Sequence, residues 1–370
     1  MGADKGSINE QIKELEAEIS KTKYNKRTQG HIGLVKAKIA QLREKQETRA
    51  RASAGPGDGY SVRKTGDGTA VLLGFPSVGK STLLNALTNQ ESAVGAYAFT
   101  TLTVIPGLLE YKHAKIQILD VPGIVEGAAV GTGRGKEVLQ VIRNADLVIR
   151  LVDVFHPEHY DIINREAFAA GVRLNQRLPD VKLVKTMKGG IDIGATVKLT
   201  KLDKQTIENI CKTFKIINAQ LVFREDIDED QLIDVIMRNR VYVPAITIIN
   251  KMDAVPMQQA LAVQKKVQGQ LLISASKKIH MEELKELIFS SMRCIRIYLK
   301  EVMKKADMEE PLIMHQGDTL RAISEKLHKD FVDKFKFARV WGTSAKFDGQ
   351  QIRKLDHVVH DKDIVEIHVR

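Results

Sequence analysis

Cysteine is nearly absent from this chain of 370 residues: only Cys211 and Cys294 occur. They lie far apart without paired ligands nearby, so the cysteines indicate neither a disulfide framework nor a zinc site, and each is expected to be a reduced thiol in the core or at the surface. Long apolar runs are missing too. The run Leu147 to Val154 is broken by Arg150 and Asp153, and no uninterrupted stretch approaches the roughly 20 residues of a membrane span. The first residues carry no signal-type apolar region. Met1-Gly2 opens like a myristoylation signal, but Gly6 stands where that signal needs a hydroxyl, so the modification is not expected. What is present is a composition of 43% hydrophobic and 28% charged residues, that of a soluble globular chain. The length allows two or three domains with a sizeable core. A formal net charge of +11 suits a polyanionic partner such as RNA, or reflects a generally basic surface.

Four segments then follow one another in a fixed order. Gly74-Phe75-Pro76-Ser77-Val78-Gly79-Lys80-Ser81, continued by Thr82, matches G-x-x-x-x-G-K-[ST] between the apolar run Thr69 to Leu73 and the periodic stretch Ser81 to Leu87. Backbone amides of such a strand–loop–helix turn close around phosphates, Lys80 reaches the β- and γ-phosphates, and the Ser81 hydroxyl meets Mg²⁺. Asp120-Val121-Pro122-Gly123 ends a second apolar strand, Lys115 to Leu119, so Asp120 is expected to hold Mg²⁺ through water and the Gly123 amide to face the γ-phosphate. Asn250-Lys251-Met252-Asp253 follows the strand Ala245 to Ile249. A carboxylate at Asp253 accepts from the N1–H and 2-amino group of guanine, donors that adenine lacks on that edge. Ser274-Ala275-Ser276-Lys277 follows Leu271 to Ile273, and the Ala275 amide is expected to donate to the guanine 6-oxo group. An isolated NKMD or SAS is common by chance; the four segments in register point to guanine nucleotide.

Between the first two lies Tyr97 to Thr103, with Phe99, Thr100 and Thr101 as candidate contacts. Thr101 is chosen as the hydroxyl that joins the metal only when γ-phosphate is present, whereas Thr100 and Thr103 read better as a β-branched strand start. Lys80, Thr101 and Gly123 are thus the catalytic candidates, and Ser81, Thr101 and Asp120 the metal candidates.

The strings GFPSVGKST, FTTLT, DVPGIVEGAAVGTGRGKE and NKMD resemble the Obg-type GTPases, specifically the developmentally regulated GTP-binding proteins of eukaryotes and archaea, and the likeness runs over nearly the whole chain. The resemblance implies a cytoplasmic GTPase that works with the translation apparatus, with ribosome or structured RNA as partner and, in the eukaryotic branch, a dedicated regulatory protein. Ile124 follows Gly123 where Ras-like enzymes place a water-orienting glutamine, and its side chain forms no hydrogen bond, so unassisted hydrolysis should be slow. Similar GTPases compensate with a monovalent cation held by a phosphate-loop asparagine. Ser77 stands at that position here, which keeps K⁺ as a candidate cofactor. Arg134 is a finger in cis or, as its glycine-rich surroundings favour, a solvated side chain. The alternative function is a GTP-dependent scaffold for RNA or protein with incidental hydrolysis.

The expected fold is α/β: a P-loop GTPase domain with an inserted α+β subdomain, an N-terminal helical hairpin and a C-terminal ubiquitin-like β-grasp. The hairpin occupies 1–50, from the capping box Ser7 to Glu10 through a second helix beginning after Gly30, and presents a basic face. A linker at 51–68 leads into the GTPase domain, read as 69–173 and 244–292. The chain between Asp153 and Asn250 far exceeds the roughly dozen residues a crossover needs, which marks 174–243 as an insertion. Its strands Val181 to Thr186 and Ile191 to Leu199 are read as a hairpin turning at Lys188-Gly189-Gly190. No catalytic constellation occurs in it, and Asp226 to Asp230 lacks calcium-loop spacing. Residues 293–370 resemble a TGS domain, with a helix Thr319 to Phe331 capped by Asp318 and Trp341 as a core anchor.

Overall fold

The computed structural model describes residues 7–23, 25, 28–53, 66–88, 105–121 and 141–370. In chain order the strands are β1 (Gly68–Leu73), β2 (Ile105–Tyr111), β3 (Ala114–Asp120), β4 (Leu147–Asp153), β5 (Val172–Leu174), β6 (Val181–Lys185), β7 (Ile191–Ala195), β8 (Ala219–Phe223), β9 (Val241–Val243), β10 (Ala245–Asn250) and β11 (Leu271–Leu272), followed by β12 (Cys294–Leu299), β13 (Leu312–His315), β14 (Phe335–Trp341), β15 (Gln350–Ile352) and β16 (Ile364–Val369). The chain divides into two compact units. One holds the N-terminal helices with Ala167–Tyr242; the other holds Ser61–Glu126, Glu137–Glu166 and Val243–Arg370.

The second unit is built on a six-stranded sheet in the order β11-β10-β4-β1-β3-β2, parallel except for β2. β1, β4 and β10 are buried along their whole length because helices cover both faces, the pattern that produces continuous apolar strands rather than alternating ones. Leu83, Leu84 and Leu87 of the helix Lys80–Leu87 and Leu284 and Ile288 of the helix Met281–Ser291 join one core with Leu72, Ile149 and Ile248. Ile249 and Leu272 meet Ala260 of the helix Met257–Lys266 in a separate cluster. Arg150, which interrupts the apolar run, is itself buried in β4. It donates to Asn164 Oδ1 at 2.6 Å and lies over the Tyr160 ring. Both cysteines are free and buried, and burial pushes both thiols up to about 11, which leaves them inert as nucleophiles.

The β-grasp completes this unit with the order β13-β12-β16-β14-β15, in which β12 and β16 run parallel at the centre. Leu320 and Ile323 of the helix Leu320–Leu327 fill its core with Ile297, Val340 and Val365. The helix is shorter than expected: His328 adopts extended backbone with φ −162°, and a separate turn of helix follows at Asp330–Asp333. Its N-cap is Thr319, not Asp318, whose carboxylate instead accepts from the His315 amide at 2.8 Å. Trp341 is half-buried rather than fully enclosed, and the Lys300 ammonium lies 4.9 Å from its ring centre.

In the first unit the helices Ser7–Lys21 and Gln29–Ser53 form the expected hairpin around Ile12, Val35 and Ile39. The second helix begins before Gly30 rather than after it, because Asn25 and Thr28 cap it reciprocally, each amide donating to the other's side-chain oxygen at 3.0 Å. The hairpin shares a core with the inserted segment. Ala37 and Ala40 join Ile207, Ile210, Leu221, Phe223 and Leu232, while Gln29 and Gln41 donate to the carbonyls of Lys201 and Thr213 and Lys36 pairs with Asp230 at 2.6 Å. The acidic run is structural. Asp226 accepts from the Thr200 and Lys201 amides, and Asp228 caps the helix Glu229–Met237 through a capping box with Gln231.

The expected hairpin of β6 and β7 does not form. The sheet runs β6-β8-β7, with β8 antiparallel to β6 and parallel to β7. β8 carries the buried Ala219, Leu221 and Phe223 and so takes the centre, leaving the more polar β6 and β7 as edges. The glycine turn spans two strand spacings, about 10 Å, by wrapping the start of β8. Gly190 donates to Asn218 Oδ1 at 2.9 Å, and the Asn218 side chain donates to the Met187 carbonyl. Gly189 and Gly190 take φ of 108° and 74°, left-handed conformations that a side chain would strain.

Gly33 marks a close approach of the hairpin to the insert, since a Cβ there would stand 3.3 Å from Glu229 Cγ, Ile210 Cδ1 and Thr206 Cγ2. Gly33→Val is expected to destabilise this unit by about 1–3 kcal/mol through overpacking. Gly33→Ala should lose less, because helix propensity returns about 1 kcal/mol. Urea unfolding of the full chain reads the difference. A valine variant with the parental midpoint would show that the two helices do not rest on each other there.

Candidate nucleotide site

The parallel strands β1, β3, β4 and β10 bring their C-terminal ends to one edge of the sheet, the side on which such sheets bind ligands. The register sets Leu72 beside Asp120 and Asn250 beside Asp153. After β1 the chain turns through Gly74, Phe75, Pro76, Ser77, Val78 and Gly79 into the helix Lys80–Leu87. Two glycines are required sterically. A Cβ on Gly74 would lie 2.7 Å from the Leu151 carbonyl oxygen, and one on Gly79, at φ 98°, would lie 2.4 Å from Asn250 Nδ2. Ser77 also adopts a left-handed conformation, φ 61°.

Lys80 is 8% exposed, and its ammonium donates to the carbonyls of Gly74 and Phe75 at 3.1 Å each. Burial lowers its pKa against the opposing pull of Asp120. Its hydrogen-bond partners are neutral, so a desolvated positive charge stands at the loop. Ser81 Oγ donates to Asp120 Oδ2 at 2.8 Å, and Asp120 is 6% exposed. Burial raises the pKa of that carboxyl, while the Ser81 hydrogen bond and Lys80 pull it down. A hydroxyl and a carboxylate oxygen are hard donors of the kind Mg²⁺ takes, and an ammonium over a glycine-rich turn fits phosphate oxygens. Thr82 follows on the first turn of the helix, exposed.

On the other side Asn250 acts as a bracket. Its Nδ2 donates to the Val78 carbonyl at 2.9 Å and its Oδ1 accepts from the Ala275 amide at 3.0 Å, so one buried side chain ties the phosphate loop to the Ser274–Ser276 loop. The Ala275 amide, expected to face a guanine oxygen, is therefore engaged with Asn250 in this structure. Lys251 takes φ 67° and pairs with Asp153 at 2.6 Å. Asp253 lies 3.3 Å from Lys277, and its pKa is lowered chiefly by a hydrogen bond from Ser274, with Lys277 adding to the effect. Ser274 is fully buried. Its oxygen accepts from the Lys277 amide at 3.2 Å and stands 3.2 Å from Ser276 Oγ.

Phe99, Thr100, Thr101, Pro122 and Gly123, with Ile124 and Arg134, lie outside the described residues. The remaining sequence-derived residues gather at this edge. Three features escaped the sequence reading: the bracketing role of Asn250, the ion pair of Lys251 with Asp153, and the stacking of Phe75 on His159 at 3.8 Å with planes 8° apart. Asp153 had left a signal, as the charge that interrupts an apolar strand beside the phosphate loop.

Comparison with known families matches residues 69–184 to a 50S ribosome-binding GTPase, 188–294 to the C-terminal region of MMR_HSR1 domain, and 295–369 to a TGS domain. An uncharacterized GTP-binding protein of Methanocaldococcus jannaschii is 49% identical over 367 residues, covering 98% of this chain and 93% of that protein. Developmentally-regulated GTP-binding protein 1 of Xenopus laevis is 42% identical, with 96% of this chain and 97% of the relative covered. Developmentally-regulated GTP-binding protein 2 of Homo sapiens is 38% identical, with 97% and 99% covered. Likeness of this degree, end to end and through both the P-loop GTPase and TGS regions, makes the chain a member of the family of developmentally regulated GTP-binding proteins.

Proposed function

We propose that this GTPase is a Mg²⁺-dependent switch that hydrolyses GTP slowly and acts in the cytoplasm on the ribosome or on structured RNA. The observation that carries the reading is the convergence of a desolvated Lys80, the Ser81–Asp120 pair and the Asn250 bracket at one sheet edge. In this reading the amides of Gly74 to Gly79 cradle the phosphates and Lys80 neutralises the β- and γ-oxygens. Ser81, Asp120 and Thr101 hold Mg²⁺, which when bound supplies further charge neutralisation. The Gly123 amide, next to Pro122, faces the γ-phosphate, while Phe99 and Thr100 flank Thr101. Asp253 selects guanine, with Lys251, Ser274, Ala275 and Ser276 forming that side of the pocket.

Ile124 supports slow turnover, since no side chain follows Gly123 to orient water. Ser77 stands where similar GTPases hold a monovalent cation with asparagine, and its left-handed backbone is one that asparagine adopts readily, which supports K⁺ stimulation. The net charge of +11 and the match of residues 69–184 to a 50S ribosome-binding GTPase family support the ribosome reading. Among the described residues no helix is long and apolar enough to cross a membrane.

Single-turnover hydrolysis tests the whole reading. GTP but not ATP should be cleaved, chelation of Mg²⁺ should stop it, and exchanging Na⁺ for K⁺ and adding ribosomes should each raise the rate. Each tenfold gain corresponds to about 1.4 kcal/mol. Equal use of ATP and GTP defeats the guanine assignment. A rate indifferent to K⁺, to Ser77→Asn and to ribosomes favours the scaffold alternative, which Ile124 already supports.

A further inference from the structure

The loop after β4 carries His156-Pro157-Glu158-His159 and leads into the helix His159–Ala169. One potential ligand atom from each of His156, Glu158 and His159 lies within 4.8 Å of the other two. His156 Nδ1 is 2.9 Å from Glu158 Oε1, and the two imidazole centroids are 5.0 Å apart. An exposed His–Glu contact accounts for the first pair and is a weak interaction. It does not account for His159. That ring is stacked on Phe75, and its Nδ1 is buried without a hydrogen-bond partner among the described residues. Buried imidazole nitrogens are normally satisfied.

We propose that His156, Glu158 and His159 form a binding site for one Zn²⁺ ion, with three protein ligands and an open fourth position. Two imidazole nitrogens and one carboxylate oxygen form a donor set suited to Zn²⁺ and its transition-metal neighbours, and unlike the all-oxygen set that Mg²⁺ takes. Nitrogen and oxygen ligands about 2.0–2.1 Å from Zn²⁺ stand roughly 3.3 Å apart in a tetrahedron. The ligand atoms lie within 4.8 Å of one another, so binding requires the exposed side chains of His156 and Glu158 to turn inward to that spacing. The site adjoins the phosphate loop without belonging to it. His159 supports the ring of Phe75, whose carbonyl accepts from Lys80 at 3.1 Å, so an ion on the histidine fixes the surface on which that part of the loop rests.

The test uses the full chain in buffer containing Mg²⁺, titrated with Co²⁺ and followed by its visible absorption, then with Zn²⁺ by calorimetry. The expected result is one Co²⁺ per chain with ligand-field bands, displaced by one Zn²⁺. His156→Ala and His159→Phe should each remove the stoichiometric step. The phenylalanine preserves a ring against Phe75, so its melting temperature in chelator should match the parent's. Glu158→Ala, at an exposed position, provides a further variant should His159→Phe fold poorly. The chain has ten histidines, so adventitious uptake is the competing outcome. Absence of stoichiometric uptake, or uptake unchanged in these variants, overturns the proposal.

Discussion

Lys80→Met should sharply reduce the thermal stabilisation that Mg²⁺ and GDP confer, while leaving the nucleotide-free protein as stable as the parent or more so. The two halves of this expectation have one cause. The Lys80 ammonium is buried, and burial is the leading reason its pKa is lowered, with Asp120 acting in the opposite sense. A lysine whose folded pKa lies below its unfolded value binds its proton less tightly in the native state. Its charge therefore opposes folding at every pH below the unfolded value of about 10.4, including neutrality. Methionine keeps an unbranched stem of similar length and removes that penalty. Two hydrogen bonds to the Gly74 and Phe75 carbonyls are lost with it, which moderates the gain.

With nucleotide the balance reverses. A charge-assisted hydrogen bond to phosphate is worth about 1.5–3 kcal/mol, so affinity should fall roughly 10- to 150-fold. Turnover should fall further, because charge on the transferring phosphoryl group loses a donor of the class worth about 10²–10³ in rate. Differential scanning with and without Mg·GDP separates the two effects. A variant that retains the parental nucleotide-induced shift would remove Lys80 from the phosphate site.

Sequence was most informative where chemistry and backbone geometry coincide. The phosphate loop was legible because Gly74 and Gly79 stand where a Cβ would strike backbone or Asn250, so those glycines report a steric necessity. The parallel sheet was legible because β1, β4 and β10 are buried on both faces and read as unbroken apolar runs. The strand order of the insert was not legible. Two alternating segments joined by a glycine turn are the local signal of a hairpin, and nothing local reports that a third strand, β8, is apolar enough to take the centre between them. The shared core of the N-terminal hairpin and the insert was hidden for the same reason. Ala37 and Ala40 read as ordinary helix formers until Ile207, Ile210 and Phe223 arrive from far along the chain.

Within the site the pattern is similar. Motifs named Lys80, Ser81, Asp120, Asn250 and Asp253 through their types and spacing. The tie from Asn250 to Val78 and Ala275 is a long-range hydrogen-bonding fact that no spacing encodes. The end of the TGS helix was misread because a continuing apolar pattern does not reveal that His328 leaves helical backbone.

Asp253→Asn should exchange the preferred base, lowering GTP affinity by roughly 10- to 150-fold and raising that for xanthosine triphosphate. Asp253 has its pKa lowered chiefly by a hydrogen bond from Ser274, which burial opposes and Lys277 reinforces, so it is ionised at neutral pH. An ionised carboxylate offers only acceptors, matching the two donors on the guanine edge. The amide presents a donor there instead, which opposes guanine and complements the 2-oxo group of xanthine. Losing a charge-assisted acceptor accounts for about 1.5–3 kcal/mol of the change. The unliganded fold should barely respond, because the ion pair removed reaches Lys277 on a largely exposed side chain, and such pairs contribute about 0–1 kcal/mol. The sign of the pH dependence follows from the same lowered pKa. In the parent, the stability and guanine preference linked to Asp253 are present above the ordinary carboxylate range and are lost as pH falls through the lowered value, whereas the asparagine variant should show no such loss from this position. Competition among GTP, ATP and xanthosine triphosphate at neutral pH decides the matter. A variant that keeps the parental order of the three nucleotides would show that Asp253 does not read the base, and selectivity would then have to reside in the Ser274–Ser276 loop.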